Sequence, residues 1–135
     1  MALKVDVSVG EFLDKLTILE IKSERMDDPG KIANVKRELE LLQASWREHV
    51  DEDDTVKRIH ADLKAINEEL WEIEDDIRDK ERAREFDERF IELARAVYFT
   101  NDRRSEVKEI LRLFEVDVCE VGIDEPTPVL EDADD

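Results

Sequence analysis

One stretch of the chain carries apolar residues at alternating steps of three and four, and charged residues fill most of the positions between them. The seven residues of this seam are Val56, Ile59, Leu63, Ile66, Leu70, Ile73 and Ile77. This spacing lays them along one side of an α-helix, which must bury that side against other helices of the chain or against a second copy. The seam therefore predicts a helix over about residues 54–81.

Three further helices are predicted by the same spacing elsewhere in the chain. The first covers about residues 8–26 and begins at a capping box that starts with Ser8. The second covers about residues 29–50, and the fourth covers about residues 87–115, with a break at Asn101 left open. Short connections make sequential helices antiparallel neighbours. The predicted fold class is therefore all-α, an antiparallel helical bundle of four or five helices arranged as two helical hairpins.

The two ends of the chain differ from its middle. Apolar and polar residues alternate over a few positions near Val5 and again near Val121, which indicates two short strands. Lone strands are marginally stable, so we expect these two to meet in a minor two-stranded ribbon formed by the termini. Residues 1–124 are thus expected to form one helical domain, and residues 125–135 a disordered acidic tail.

The charge balance narrows the classes of partner. Asp and Glu number 39 against 21 Lys and Arg, which gives a net charge of −18. A surface this acidic repels nucleic-acid phosphates and anionic membranes, so neither is an expected partner.

No apolar run is long enough to span a membrane, and the single Cys119 cannot form an internal disulfide, so the expected location is the cytoplasm. His49, His60 and Cys119 lack the spacing of a metal site; we expect them to be structural, and we expect no cofactor.

Ten polar or aromatic residues form a candidate polar patch or partner-binding site. They are Asp14, Lys15, Trp71, Asp75, Asp76, Arg78, Asn101, Asp102, Arg103 and Arg104. Asp14 falls on the apolar stripe of the first helix, where a carboxylate needs a cationic neighbour. The candidate cations are Lys15, Lys22 and the pair Arg103 and Arg104. This arginine pair suits either a phosphate or carboxylate ligand or salt bridges to the abundant acidic residues. Trp71 lies one step beyond the seam, in either a second layer of the core or an interface.

A second set of acidic residues leads to an alternative hypothesis. Glu69, Glu72 and Asp76 are spaced three and four apart on the predicted third helix, so they share one side of it. Clustered carboxylates of this kind can hold Mg²⁺, which would in turn accept a diphosphate. The competing interpretation is a solvated acidic face, because such triplets arise readily in a chain this acidic.

Three stretches of the chain resemble a family of small uncharacterised all-helical proteins from bacteria and their phages. They read GEFLDKLTILEIK over residues 10–22, LWEIEDDIR over 70–78 and YFTNDRR over 98–104. The resemblance covers about residues 5–115, although the linker Arg82 to Glu88 lacks the glycines typical of that family. The resemblance implies membership of that family, and it implies no particular activity. Since the three stretches contain the polar candidates, the resemblance favours a common site for most of them.

We favour the interpretation that this is a non-enzymatic interaction or assembly module acting as a homodimer, whose polar patch holds the helices together or binds a protein partner. The alternative is a Mg²⁺-dependent all-α hydrolase of a nucleotide or sugar phosphate, with Glu69, Glu72 and Asp76 on the metal and Arg103 or Arg104 on the phosphate. A third hypothesis is an acidic mimic that occupies the nucleic-acid site of a basic partner.

Overall fold

Four helices account for most of the chain in a computed structural model that describes residues 4–112 and 119–122. They are α1 (Val9–Arg25), α2 (Pro29–His49), α3 (Asp54–Ala83) and α4 (Glu88–Arg112). The expectation of a helical fold with four helices is confirmed. Two strands, β1 (Lys4–Val7) and β2 (Cys119–Gly122), pair antiparallel, with Lys4 opposite Gly122. The predicted acidic tail at residues 125–135 and the last three residues of the predicted fourth helix, 113–115, lie outside the described residues.

The helices begin where short polar side chains satisfy backbone N–H groups of the first turn. The Ser8 hydroxyl accepts from the N–H of Glu11 at 3.2 Å at the start of α1. Asp28 accepts from the N–H of Gly30 at 2.9 Å before α2, and Asp53 accepts from the N–H of Val56 at 2.9 Å before α3. Caps of this kind contribute about 1 kcal/mol each, so local sequence fixes the start of each of these helices.

Helix α4 is continuous through Asn101, which settles the question that the sequence pattern leaves open. The turn before it contains no glycine, and Arg84 adopts a left-handed backbone conformation with φ of 56° at the end of α3. The Lys80 ammonium group bridges this turn, at 3.1 Å from Glu85 and 2.8 Å from Asp87. Arg84 thus takes the left-handed position that glycine often fills at the end of a helix, and the backbone N–H of Glu85 donates to the carbonyl oxygen of Lys80 at 2.9 Å.

Helix α1 lies at the centre of the structure and contacts each of the other three helices. Of its 17 residues, 12 are buried, which is why its apolar residues extend round most of its circumference. Helix α1 runs antiparallel to α2 and α4 and parallel to α3, because later residues of α1 pair with earlier residues of α2 and α4 and with later residues of α3. The aromatic rings of Phe12 on α1 and Trp46 on α2 stack with centroids 6.0 Å apart in the larger of two core clusters.

The seam on α3 is buried over its first five residues, from Val56 to Leu70, while Ile73 and Ile77 are half-buried. The reason is helix length. Helix α1 has 17 residues and α3 has 30, so α1 spans about 25 Å of the roughly 45 Å of α3. Beyond the end of α1, the far part of α3 runs beside α4, and residues of both helices, such as Lys80 and Leu93, line a cleft between them. The structure therefore has a four-helix base and a projecting two-helix arm, formed by the far parts of α3 and α4.

None of the four described helices combines the length and the apolar content that a membrane span needs.

Gly10 marks a close approach of α1 and α4. A Cβ atom added to Gly10 would lie 2.8 Å from the carbonyl oxygen of Lys108 and 3.1 Å from its Cβ. We expect Gly10→Ala to lower the free energy of unfolding by about 1–2 kcal/mol. The added methyl group forces the two backbones apart, and this destabilisation exceeds the stabilisation from the higher helix propensity of alanine. Urea denaturation followed by circular dichroism measures this change.

Gly30→Ala is the matched control, because the nearest atom to its added Cβ is an Asp28 carboxylate oxygen at 3.4 Å. This variant should leave the free energy of unfolding unchanged or slightly higher. Equal losses in the two glycine variants would show that the α1–α4 approach is not the cause.

Candidate functional site

A buried carboxylate on α1 organises the polar interior of the structure. Asp14 is only 3% exposed. The Arg104 guanidinium from α4 binds it through two parallel hydrogen bonds, Nε to Oδ1 at 2.9 Å and Nη2 to Oδ2 at 2.5 Å. Lys108, one turn further along α4, lies 3.7 Å from Oδ2 and also pairs with Glu11 at 2.9 Å. One of the two predicted arginines, Arg104, is therefore the cation that the buried carboxylate requires.

Helix α3 completes this arrangement with a buried amide. The Asn67 side chain is fully buried, and its Nδ2 group donates to Asp14 Oδ1 at 3.0 Å and to Thr17 Oγ1 at 2.9 Å. The Thr17 hydroxyl donates in turn to the backbone oxygen of Asp14 at 2.8 Å. The remaining amide oxygen of Asn67 has no hydrogen-bond partner among the described residues. We call Asp14, Thr17, Asn67, Arg104 and Lys108 the Asp14 cluster.

The electrostatics of the cluster favour its charged form. Burial opposes the charge on Arg104, but hydrogen bonding to Asp14 and the charge of that carboxylate outweigh burial, so the pKa of Arg104 is raised above its usual value. Both oxygens of Asp14 are already engaged by N–H donors. A carboxylate held in this way joins three helices in one register.

The other candidates on α1 and α3 do not join the cluster. Lys15 is buried but pairs with Glu38 of α2 at 3.0 Å, on another side of α1. Trp71 is 5% exposed and packs against Ile18, Ile21 and Val97, so it belongs to a second layer of the core and is not an exposed platform. The large ring fills the space where α1, α3 and α4 meet, which explains a tryptophan one step beyond the seam.

The remaining candidates lie nearer the surface. Asn101 accepts from Arg104 at 3.4 Å and thereby borders the Asp14 cluster, whereas Arg103 points to Glu69 of α3 at 3.1 Å. Arg78 donates to Asp75 on the same helix at 2.9 Å. Asp76 and Asp102 are exposed. Of the ten candidates, the structure thus brings together Asp14, Arg104 and Asn101, and it distributes the others over separate contacts.

The alternative acidic set is not assembled as a metal site. Glu69 pairs with Arg103 of α4, and Glu72 lies 3.4 Å from Arg25 of α1. Asp76 lines a shallow cleft of about 340 Å³ between the far parts of α3 and α4, together with Lys80 and Arg89. Within residues 4–112 and 119–122, no group of three or more His, Cys, Asp or Glu side chains is placed to hold a metal ion. Arginines pair with Glu69 and Glu72, two of the three carboxylates of this set.

Sequence reasoning missed three members of the cluster: Thr17, Asn67 and Lys108. Two of them carry a usable signal, because Thr17 lies three residues after Asp14 and Lys108 four residues after Arg104, which places each on the same side of its helix. Asn67 lies one position from Ile66 of the seam, between the buried turns of α3, where an amide needs a polar partner. No signal in the sequence links Asn67 to α1, since that link depends on the packing.

A second polar network contains His60, which lies between two carboxylates. Its Nε2 atom is 2.9 Å from Glu20 of α1, and its Nδ1 atom is 3.2 Å from Glu52 in the connection before α3. Trp46 of α2 donates from its ring N–H to the other oxygen of Glu52 at 2.7 Å. Hydrogen bonding to Glu20 raises the pKa of His60 against the opposing effect of burial, with further support from Glu52. His60 therefore joins α3 to α1 and to the connection that precedes α3.

One surface of α4 is apolar and uncovered. Ile91, Tyr98 and Phe99 are 54%, 73% and 67% exposed. Arg95 and Asp102 are exposed beside them, and helical spacing places all five on the side of α4 that faces away from the core. We call these five residues the outer face of α4. Its aromatic residues, Tyr98 and Phe99, lie in the YFTNDRR stretch, which also contains Arg104 of the Asp14 cluster.

The model of a family of unknown function, DUF6165, matches residues 3–119. The chain belongs to this family. Comparisons with curated proteins and with solved structures gave no match. DUF6165 membership agrees with the resemblance to an uncharacterised helical family, and it assigns no activity. The matched range contains every residue of the Asp14 cluster and of the outer face of α4.

Removing the cation from Asp14 should destabilise this DUF6165 protein strongly. We expect Arg104→Met to lower the free energy of unfolding by about 3 kcal/mol, because the carboxylate stays buried with only Lys108 and Asn67 as partners. Urea denaturation of the purified protein gives this value.

The neighbouring arginine supplies the matched control. Arg103 and its partner Glu69 are about half exposed, so Arg103→Met should cost less than about 1 kcal/mol. Replacing both members of the buried pair, in Asp14→Leu with Arg104→Met, should recover most of the loss. Equal effects of the two single arginine variants would contradict a special role for the buried pair.

The His60 link should make stability depend on pH. Because the folded-state pKa is raised above 6.5, the stabilisation by the charged ring is complete below about pH 6.5 and is lost as the pH rises through the higher folded-state value. Thermal melting between pH 6 and pH 9 measures this loss. His60→Gln should flatten the profile over that window, while His49→Gln, which leaves the link in place, should keep it.

Proposed function

We propose that this protein is a non-enzymatic assembly module that acts as a homodimer, with the outer face of α4 as its interface. The observation that carries the proposal is the pair of adjacent exposed aromatic residues, Tyr98 and Phe99, on the helix that contributes Arg104 and Lys108 to the Asp14 cluster. Tyrosine and phenylalanine each bury a large area in interfaces, and interface cores are enriched in them.

Local charge supports a self-association through α4. The chain as a whole has a net charge of −18, which would keep two copies apart if it were spread evenly. Helix α4 carries six basic and five acidic residues, a net charge of +1. A second copy that approaches along α4 therefore meets a nearly neutral helix, without the acidity of the chain as a whole.

The arrangement of polar residues favours binding over catalysis. The buried carboxylate Asp14 is saturated by donors, and two of the three acidic residues of α3 that were candidates for a metal, Glu69 and Glu72, are paired with arginines. These groups hold helices together. The exposed side chains of Ile91, Tyr98 and Phe99 on α4 are available to contact a partner.

Static light scattering with size-exclusion chromatography tests the homodimer. We expect a mass of about twice the 15.9 kDa of one chain for the natural sequence. The double variant Tyr98→Ser with Phe99→Ser should shift to the monomer mass with its helical content unchanged, because both side chains are exposed in the single chain.

Leu41→Ser is the matched control, because Leu41 of α2 is 68% exposed and lies away from α4. It should leave the dimer intact. A monomer mass for the natural sequence over a wide concentration series would refute the proposal. A dimer that survives the loss of both aromatic side chains would place the interface elsewhere.

A further inference from the structure

We infer that two copies pair with their α4 helices antiparallel, so that Arg95 of each copy lies opposite Asp102 of the other. This inference rests on the proposed homodimer and specifies its geometry. It depends on one juxtaposition: a basic and an acidic residue, both exposed, flank the two exposed aromatic residues of the same helix face.

The spacing along α4 is symmetric about the aromatic pair. Arg95 lies three residues before Tyr98, and Asp102 lies three residues after Phe99. The two charged residues are seven positions apart, close to two helical turns, so they share one side of the helix. A two-fold axis perpendicular to α4 between Tyr98 and Phe99 therefore exchanges positions 95 and 102, as an isologous interface requires.

Charge pairing within the chain singles out Arg95. The other five basic residues of α4 each pair with a carboxylate of their own chain: Arg89, Arg103, Arg104, Lys108 and Arg112. Arg95 has no such partner among the described residues, and neither has Asp102. An arginine left over in a helix where its neighbours are all paired is suited to an acidic residue from outside the chain.

The orientation follows from the signs of the charges. In the antiparallel arrangement each Arg95 faces Asp102 of the other copy, and the four aromatic rings meet at the centre with charges at the rim. In a parallel arrangement Arg95 would face its own counterpart, and so would Asp102. Like charges directly opposed in an interface are unfavourable, so the face is complementary to itself in one orientation alone.

Charge reversal tests this orientation in the full-length protein. We expect Arg95→Asp and Asp102→Arg, each made alone, to weaken dimerisation roughly tenfold or more, because each replaces two attractive pairs by two repulsive ones. The double variant carrying both changes should restore the natural dissociation constant, because the opposite charges face each other again. Sedimentation equilibrium at low salt gives these constants.

Arg89→Asp is the charge-matched control, since Arg89 pairs with Glu92 of its own chain on another side of α4. It should leave the dissociation constant within about twofold of the natural value. Full dimerisation in all three Arg95 and Asp102 variants, together with loss of the dimer in the Tyr98 and Phe99 variant, would overturn the antiparallel pairing and leave the homodimer standing. A natural sequence that stays monomeric would overturn both.

Discussion

A carboxylate buried among packed helices must be matched by a cation, and Asp14 imposes this constraint on the whole structure. Helix α1 is surrounded by the other three helices, so each polar group that it carries inward has to find a partner on a neighbour. Asp14 takes Arg104 from α4 and Asn67 from α3, while Lys15 takes Glu38 from α2. The apolar residues of α1 would pack in several registers, but these polar contacts are satisfied in one.

This constraint also decides which side of α4 faces outward. Arg104 must point at α1, and successive residues of an α-helix are rotated by about 100°, so Phe99 lies about 140° away around the helix. Exposure of the aromatic residues is thus a direct result of the inward arginine. The YFTNDRR stretch combines both roles in seven residues, since one end faces solvent and the other anchors the core.

The sequence predicted the elements that depend on local rules. The seam and the polar caps place the helices, because periodicity and capping act within a few residues. The same rules identified Asp14 as a carboxylate in need of a cation and included Arg104 among the candidates. They could not choose Arg104 over Arg103, because adjacent residues differ by only about 100° and the choice depends on how α4 is rotated against α1.

Trp71 and Lys15 also show that local sequence rules do not determine contacts between helices. Both looked suited to a common polar patch, but burial of Trp71 needs Ile18 and Val97, from helices distant in the chain. Lys15 is next to Asp14 in sequence and still points to a different helix, since neighbouring residues on a central helix face different partners. The absence of glycine from the turn before α4 is visible in the sequence, but the pairing of Lys80 with Glu85 and Asp87 across that turn depends on how the chain folds back.

The unequal lengths of α1 and α3 divide the protein into two parts with different resistance to opening. At the base, separating any helix exposes a core shared by four. The projecting arm consists of the far parts of α3 and α4, beyond the reach of the shorter α1, so that segment can open without disturbing the base. Its backbone amides will exchange with solvent through partial fluctuations, well before those of the Asp14 cluster, which exchange only when the entire fold is lost.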